Sequence, residues 1–405
     1  MSLDAHERPA AIQRHIGAIF ISLELSRSKW LITSLAPGGG QKMSKHSVEA
    51  GNFAGLLARF SAIREKASAR TGICYPIIVI QEAGLDGFWI HRALEQEGIE
   101  SHVVDAASIA VSRHRRRAKT DRIDGEGLLR ALLAFKRGEP RVCSMVRVPT
   151  PEEEDRRRIC RERKTLLVER IQHVNRIKGL LFSQGIGDCE PLHRDRRRAL
   201  EAVRTGDRRT LGANMKAQIG RELDRLELLL GQIAAVEAER DAMLAREAEA
   251  KAKAKAKAAQ DANKRTPATV QMLMDVRGLA ADAVAMLWTE AFYRSFDNRR
   301  QLAAFVGLAG TPWQSGSIDN EQGVSKGGNH RLRTAMIQLA WLWPSHQPGS
   351  ALARWLRERT KGASKLQKKK MAVALARKLL VALWKWVDAG VVIEGAVLKS
   401  AARAN

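Results

Sequence analysis

The feature that most restricts what this chain can fold into is a change of periodicity at Pro149-Thr150-Pro151. Before it, short apolar runs alternate with helical stretches. After it, residues 152–183 and 194–258 carry apolar side chains at helical spacing, with few β-branched residues and dense opposite charges, the pattern of a long helical or coiled-coil arm. The two parts call for different architectures.

In the first part, residues 16–33 (IGAIFISLELSRSKWLIT) read as a strand, a turn around Ser26–Ser28 and a second strand, punctuated by Pro37 and Gly38–Gly40. Phe53, Leu56, Leu57, Phe60 and Ile63 give residues 52–69 a helical face. Residues 75–81 (YPIIVIQ) form a continuous apolar run, as expected of a strand buried on both faces. A helix over 88–98, ending at Gly98, and a strand over 102–105 follow. Strands alternating with helices predict an α/β sheet domain. Thr120 is placed to cap a helix beginning at Asp121.

Beyond the arm, a second compact unit, mostly α-helical, starts near Thr269. The expected organisation is a flexible tail (1–15), an α/β domain (16–148), the arm and linker (149–268) and a C-terminal domain (269–405). Lys251–Lys257 (KAKAKAK) reads as the frayed end of the arm or a solvated hinge. Residues 305–317 and 325–333 concentrate small and polar residues, as a loop-built site would.

Charge narrows the function. The 405 residues hold 69 Lys+Arg against 44 Asp+Glu, a net +25, so a polyanion is the natural partner. Hydrophobic residues make up 45% of the chain, enough for ordinary cores and too many for a disordered basic tail. The basic clusters lie at Arg113–Lys119 (Arg113, Arg115, Arg116, Arg117 and Lys119), 156–163, 194–198 and 365–370, and phosphate binding suits them better than solubility alone. Cys74, Cys143, Cys160 and Cys189 have neither zinc-site nor disulfide spacing; they read as reduced thiols of a cytoplasmic protein. Residues 1–15 lack the apolar core of a signal peptide. Arg377, Lys378, Lys385 and Asp388 interrupt the apolar stretch 371–393, which fits a buried amphipathic helix and argues against a membrane. Most of the tryptophans crowding the C-terminal third should be core, Trp313 alone being a candidate for base stacking.

The acids offer chemistry. Glu24 and Glu82 end predicted strands, and Asp121 and Asp124 share one helical face at i, i+3. Were these four carboxylates to converge, divalent cations would have to offset their repulsion; Mg²⁺ prefers such oxygen donors, and two ions about 4 Å apart can clamp both oxygens of a phosphodiester exchange. Taken singly, each acid is better read as a solvated surface charge. Gly278 is a packing device or a backbone approach to a phosphate. Gly327-Gly328-Asn329 serves nucleic acid, a helix cap at Asn329, or both.

Gln81-Glu82-Ala83-Gly84 and Lys119-Thr120-Asp121-Arg122-Ile123-Asp124 resemble the E-x-x-G and K-T-D-R-x-D motifs of insertion-sequence one-ten family transposases, which include the pilin-gene invertases. Phe296 through Leu308, Ser315-Gly316 and Ser325 through Arg333 are similar to the family's C-terminal pattern. The resemblance covers nearly the whole chain in order. It implies a RuvC-like, ribonuclease-H-type N-terminal domain with an acidic tetrad at Glu24, Glu82, Asp121 and Asp124 that binds Mg²⁺ or Mn²⁺. The first position departs from the family, Glu24 standing where Asp is usual.

The resemblance further implies a serine nucleophile at Ser315, with Ser317 as the alternative, and charge supplied by Lys326, Arg331 or Arg333. On the residues alone, Ser315-Gly316 reads as a plain turn, and only the resemblance gives the serine a catalytic role. The implied function is a DNA transposase or site-specific recombinase acting on double-stranded DNA in the bacterial nucleoid, as a homodimer or homotetramer, with an element-encoded guide RNA bridging donor and target. Two other readings stay open: a metal-dependent junction nuclease that uses water, and a catalytically inactive nucleic-acid-binding copy.

Overall fold

The computed structural model describes residues 17–40, 42–84, 87–105, 108–109, 121–140, 142–258, 269–315, 318–324 and 327–399, with side chains omitted at 121–123, 251–258, 311–315 and 318–322. The N-terminal tail, the basic cluster Arg113–Lys119, Thr120, Gly316, Ser317, Ser325 and Lys326 lie outside them. Two compact units divide the chain, residues 1–149 and 150–405.

In the first unit, β1 (Ile19–Leu25), β2 (Lys29–Leu35), β3 (Ser44–Glu49), β4 (Ile77–Glu82) and β5 (Glu100–Val104) form one sheet in the order β3-β2-β1-β4-β5. The first three strands are an antiparallel meander, while β4 runs parallel to β1 and β5 parallel to β4. Alternation along β1 explains why helices cover both faces. Ile19, Ile21 and Leu23 pack with Trp30, Ile32, Ile77 and Val79 against Leu56, Phe60 and Ile63 of α1 (Phe53–Thr71) and Ile90 and Leu94 of α2 (Trp89–Gln96). On the other face, Phe20, Ile78, Ile80 and Val104 meet Leu128, Leu129 and Leu132 of α3 (Asp121–Lys136). The sheet is thus the middle of three layers.

β3 had no signal in the sequence. It is an edge strand reading Ser-Lys-His-Ser-Val-Glu, and only Val48 reaches the core; an edge facing water on most of its surface needs no apolar run.

The Pro149-Thr150-Pro151 punctuation is a helix start. The Thr150 hydroxyl accepts from the Glu153 N–H, the Glu153 carboxylate accepts from the Thr150 N–H, and Pro151 occupies the first turn, where no N–H is needed. From there α4 (Pro151–Phe182) runs antiparallel to α6 (Ala213–Ala258), since Arg163 meets Glu237 while Arg176 meets Glu222. Leu166, Ile177 and Leu181 of α4 pack on Ile219, Leu223, Leu226, Leu229, Ile233 and Val236 of α6.

The helical stretch 194–258 is divided in two: α5 (Arg196–Ala202) ends at Val203, and α6 begins ten residues later. Between them the Thr205 hydroxyl accepts from the Arg209 N–H, and Gly206 donates to Gln184 O in contact with Gly185, a local turn that competes with helix.

The remaining elements are α7 (Thr269–Asp275), α8 (Ala281–Glu290), α9 (Arg299–Val306), β6 (Gly310–Ser315), β7 (Ile318–Val324), α10 (His330–His346), α11 (Ala351–Thr360) and α12 (Lys365–Ala389). Leu287, Leu302, Met336, Trp343, Leu375, Leu379 and Leu383 are among the side chains of one large core. α12 is the amphipathic helix expected near 371–393, and among the described residues no helix is long and apolar enough to cross a membrane. Trp341 stands outside this core and is 49% exposed.

Glu222 shows how the α4–α6 pair is held. Its buried carboxylate lies 2.6 Å from His173 Nδ1 and 2.9 Å from Arg176 Nη1, with Arg225 at 2.7 Å. Burial alone would raise its pKa, but the hydrogen bonds from His173 and Arg176 outweigh burial and hold it below the ordinary carboxylate value. A depressed folded-state pKa means that the stabilisation is complete above the unfolded value and is lost as pH falls through the folded one. Glu222→Gln is therefore expected to lower stability by about 1–3 kcal/mol at pH 7 and to flatten the stability loss between about pH 5 and pH 3, as read by urea denaturation across that range.

Candidate functional site

Each unit carries one constellation. In the first, register decides which acids can meet. Leu23 pairs with Gln81 in the parallel β1–β4 ladder, so Glu24 and Glu82 occupy the next rung of adjacent strands. Alternation turns both toward the face that α3 covers. Asp121 is the first residue of α3 and Asp124 lies three further on. Acids separated by about a hundred residues are thus brought to one face, at the C-terminal end of parallel strands. The Asp121 side chain lies outside the described residues; Asp124 and Glu24 are half-buried, and Glu82 is exposed.

What lets α3 approach so closely is Gly125. A Cβ there would stand 2.6 Å from Thr33 Oγ1 and 3.2 Å from Glu24 Oε1, closer than real contacts allow for the first and tight for the second. The Ser22 hydroxyl donates to Gly125 O at 2.8 Å, tying β1 to the same turn. Glu126, an acid the sequence did not single out, pairs with Lys45 of β3 at 2.6 Å and belongs to that ion pair. Among the described residues no three acidic, histidine or cysteine side chains form a metal-holding group. Hard carboxylate oxygens are nevertheless the donor type a divalent cation such as Mg²⁺ takes, and Asp121, the fourth acid of the set, stands on the same helical turn.

The second constellation surrounds the start of α10. Asn329 caps this helix, its side-chain oxygen accepting from Arg331 N–H at 3.1 Å and Leu332 N–H at 3.2 Å. Its amide donates to Glu290 Oε2 at 2.9 Å, and Glu290 Oε1 accepts from Arg161 Nε at 3.0 Å. Glu290 is 3% exposed. The Asn329 N–H donates to Phe305 O at 2.8 Å. Gly328 lies against the carbonyls of Ala304 and Phe305 with φ +78°, a close approach that only glycine permits.

Arg333 Nη1 donates to Gly327 O at 3.0 Å and reaches Gly307 O at 3.4 Å, so this arginine braces the glycine loop. Arg331 is exposed on the first turn of α10. The region read from sequence as loop is a two-stranded hairpin: Ser315 is the last residue of β6 and pairs with Ile318 of β7. The Ser315 and Trp313 side chains lie outside the described residues. Gly278, at φ +90°, approaches the side chain of His346, where a Cβ would overlap it; its contact in the fold is protein.

Sequence reasoning missed Glu290. It ends an apolar helix, and nothing in the local pattern says that its partners come from positions 161 and 329.

Two variants test this geometry. Gly125→Ala is expected to destabilise the protein by about 1–3 kcal/mol through overpacking, with Thr33→Ala in the same chain recovering part of the loss in urea denaturation. Glu290→Ala, which strands the Asn329 amide and the Arg161 guanidinium, is expected to cost about 1–3 kcal/mol in the same measurement.

Residues 270–355 match the family model described as transposase, IS116/IS110/IS902 family. A curated relative, "Putative transposase y4rJ" of Sinorhizobium fredii (strain NBRC 101917 / NGR234), is 66% identical over 395 residues, spanning 97% of this chain and 98% of its own length.

Proposed function

The chain belongs to the IS116/IS110/IS902 family of transposases, and from that premise we propose that it is a DNA recombinase that cuts and rejoins strands at the ends of its own element, using Ser315 as nucleophile and guided by an element-encoded RNA. The observation that carries the reading is the common face shared by Glu24, Glu82 and the Asp121–Asp124 turn of α3. The strand order β3-β2-β1-β4-β5, with β2 antiparallel to its neighbours, supports a ribonuclease-H-like assignment for this unit.

Glu24, Glu82, Asp121 and Asp124 would hold Mg²⁺ or Mn²⁺, which when bound neutralises phosphate charge and orients the reacting strand. In the proposed chemistry the Ser315 Oγ attacks phosphorus, an Oγ–P bond forms and a P–O ester bond of the DNA breaks. The serine proton passes to solvent or base, and the departing oxygen leaves as a hydroxyl. One ester replaces another, so the DNA end stays activated on the serine for a second strand to take. Asn329, Arg333 and Glu290 fix the glycine loop at the start of α10, and Arg331 and Lys326 add positive charge for the phosphates. Strand exchange holds two duplexes at once, which makes a homodimer or homotetramer, joined through the helical arm, the natural working form.

A recombination assay in cells with the element and its flanking noncoding DNA tests this reading. Wild type is expected to yield junctions that both Ser315→Ala and Asp121→Asn abolish, with a loss of at least about 100-fold for each, as removal of a reacting group brings. Cleavage retained by Ser315→Ala would favour a junction nuclease that uses water. If no junctions form with wild type or with Glu24→Asp while DNA binding persists, the protein is an inactive binding copy.

A further inference from the structure

Arg294 lies in the segment joining α8 to α9, and its head group is held in an unusual way. The guanidinium carbon sits 5.0 Å from the ring centroid of Phe296 and 5.2 Å from that of Phe305. The rings are themselves 5.5 Å apart and tilted by 53°, so the cation fills the notch between them. Its Nε is buried and has no hydrogen-bond acceptor. Among the described residues no carboxylate or carbonyl takes any of its five donors.

Other arginines of this unit are treated differently. Arg157 also stacks on an aromatic ring, that of Tyr293 at 4.2 Å, but its Nε donates to Thr289 O. Arg161, Arg163 and Arg240 all pair with carboxylates. Ring faces attract a cation, by about 0.5–2 kcal/mol depending on exposure, yet they neither neutralise its charge nor accept in-plane hydrogen bonds. A partly desolvated guanidinium without an acceptor is an incomplete site.

Its location gives the missing partner. The backbone carbonyl of Phe305, whose ring forms one side of the notch, accepts from the Asn329 N–H, and the Asn329 amide donates to Glu290, four residues before Arg294. The cage therefore belongs to the same hydrogen-bonded frame as the glycine loop that opens α10. Arg299 and Arg300 stand exposed in the first turn of α9, where the helix dipole disfavours cations. Residues 294–300 thus set three arginines against one acid, Asp297.

We propose that Arg294 is a phosphate-binding residue, its caged guanidinium taking a backbone phosphate of the DNA on which the protein acts. The inference rests on the recombinase reading above. Two rings hold the guanidinium in place before binding, so less side-chain freedom is lost when both arms engage one phosphate. Lysine would keep the charge without the fork.

The test is fluorescence anisotropy of full-length protein on a labelled 40-base-pair duplex carrying the element end, titrated from 50 to 200 mM salt, for wild type, Arg294→Met and Arg294→Lys. Methionine fills the notch without charge. The expected result is a several-fold loss of affinity for Arg294→Met with a log–log salt slope shallower by about 0.9, at a thermal midpoint close to wild type. Arg294→Lys should keep the wild-type slope and still bind several-fold more weakly. Unchanged affinity and slope in Arg294→Met overturn the proposal, and a lowered thermal midpoint alongside them assigns Arg294 to packing. Should Arg294→Met fail to fold, wild-type affinity in Arg294→Lys overturns it. A wild type without salt-dependent binding overturns both this proposal and the recombinase reading, whereas failure confined to the variants leaves that reading intact.

Discussion

A carboxylate taken out of water must be met by cations or donors, and in a chain with 69 basic and 44 acidic residues that requirement organises the second unit. Its buried acids stand at crossings. Glu222 gathers His173, Arg176 and Arg225 where α4 meets α6. Glu290 joins α4, through Arg161, to the cap of α10, through Asn329. Asp282, less buried, collects Arg163 from α4 and Arg240 from α6. Each acid draws two or more elements together, and each geometry is specific because an unmatched charge there is costly. Pairs of this kind contribute less to net stability than their number suggests; they decide which helix faces which.

The same scarcity of acids leaves cations over. Arginines at the α4–α6–α8 crossings are consumed by Glu290, Asp282 and Glu237. Those around α9 and the first turns of α10 and α12 are turned outward: Arg299, Arg300, Arg331, Lys365, Lys368, Lys369 and Lys370 are all exposed. Cations in the first turn of a helix oppose its dipole. A fold that tolerates them there has positive potential at several helix starts, which suits a polyanion whose charges are spread along a backbone.

Legibility in the sequence followed how local the cause of each element is. β1, β2 and β4 were readable because both their faces are buried and the apolar run is continuous. The cap at Thr150 was readable as punctuation. β3 was not, since an edge strand draws its order from pairing with β2 and not from its own apolar content. The β6–β7 hairpin reads as loop in the sequence because its residues are small and polar and its order comes from cross-strand pairing. The break between α5 and α6 depends on Gly206 packing against Gly185, a contact twenty-one residues away. Of the site, residue types and order along the chain were visible. The rung shared by Glu24 and Glu82, and the role of Glu290, come from tertiary register that spacing does not encode.

Glu24 shows how such register bears on chemistry. A glutamate carries its carboxylate one methylene further from the strand than an aspartate would, and at a fixed backbone separation that extra length has to go somewhere. Here it goes toward α3, where Oε1 occupies space that a Cβ at position 125 would crowd. The glycine is therefore a steric complement to the longer acid. Ser22, fastened to Gly125 O, and Thr33, packed on the same turn, keep the helix at the distance at which that complement works. A longer acid facing a full side chain would have to turn away from α3 or push it off the sheet. Facing glycine, it can present its oxygens on the face that Asp124 shares, so the long acid and the gap opposite it are one feature of the packing.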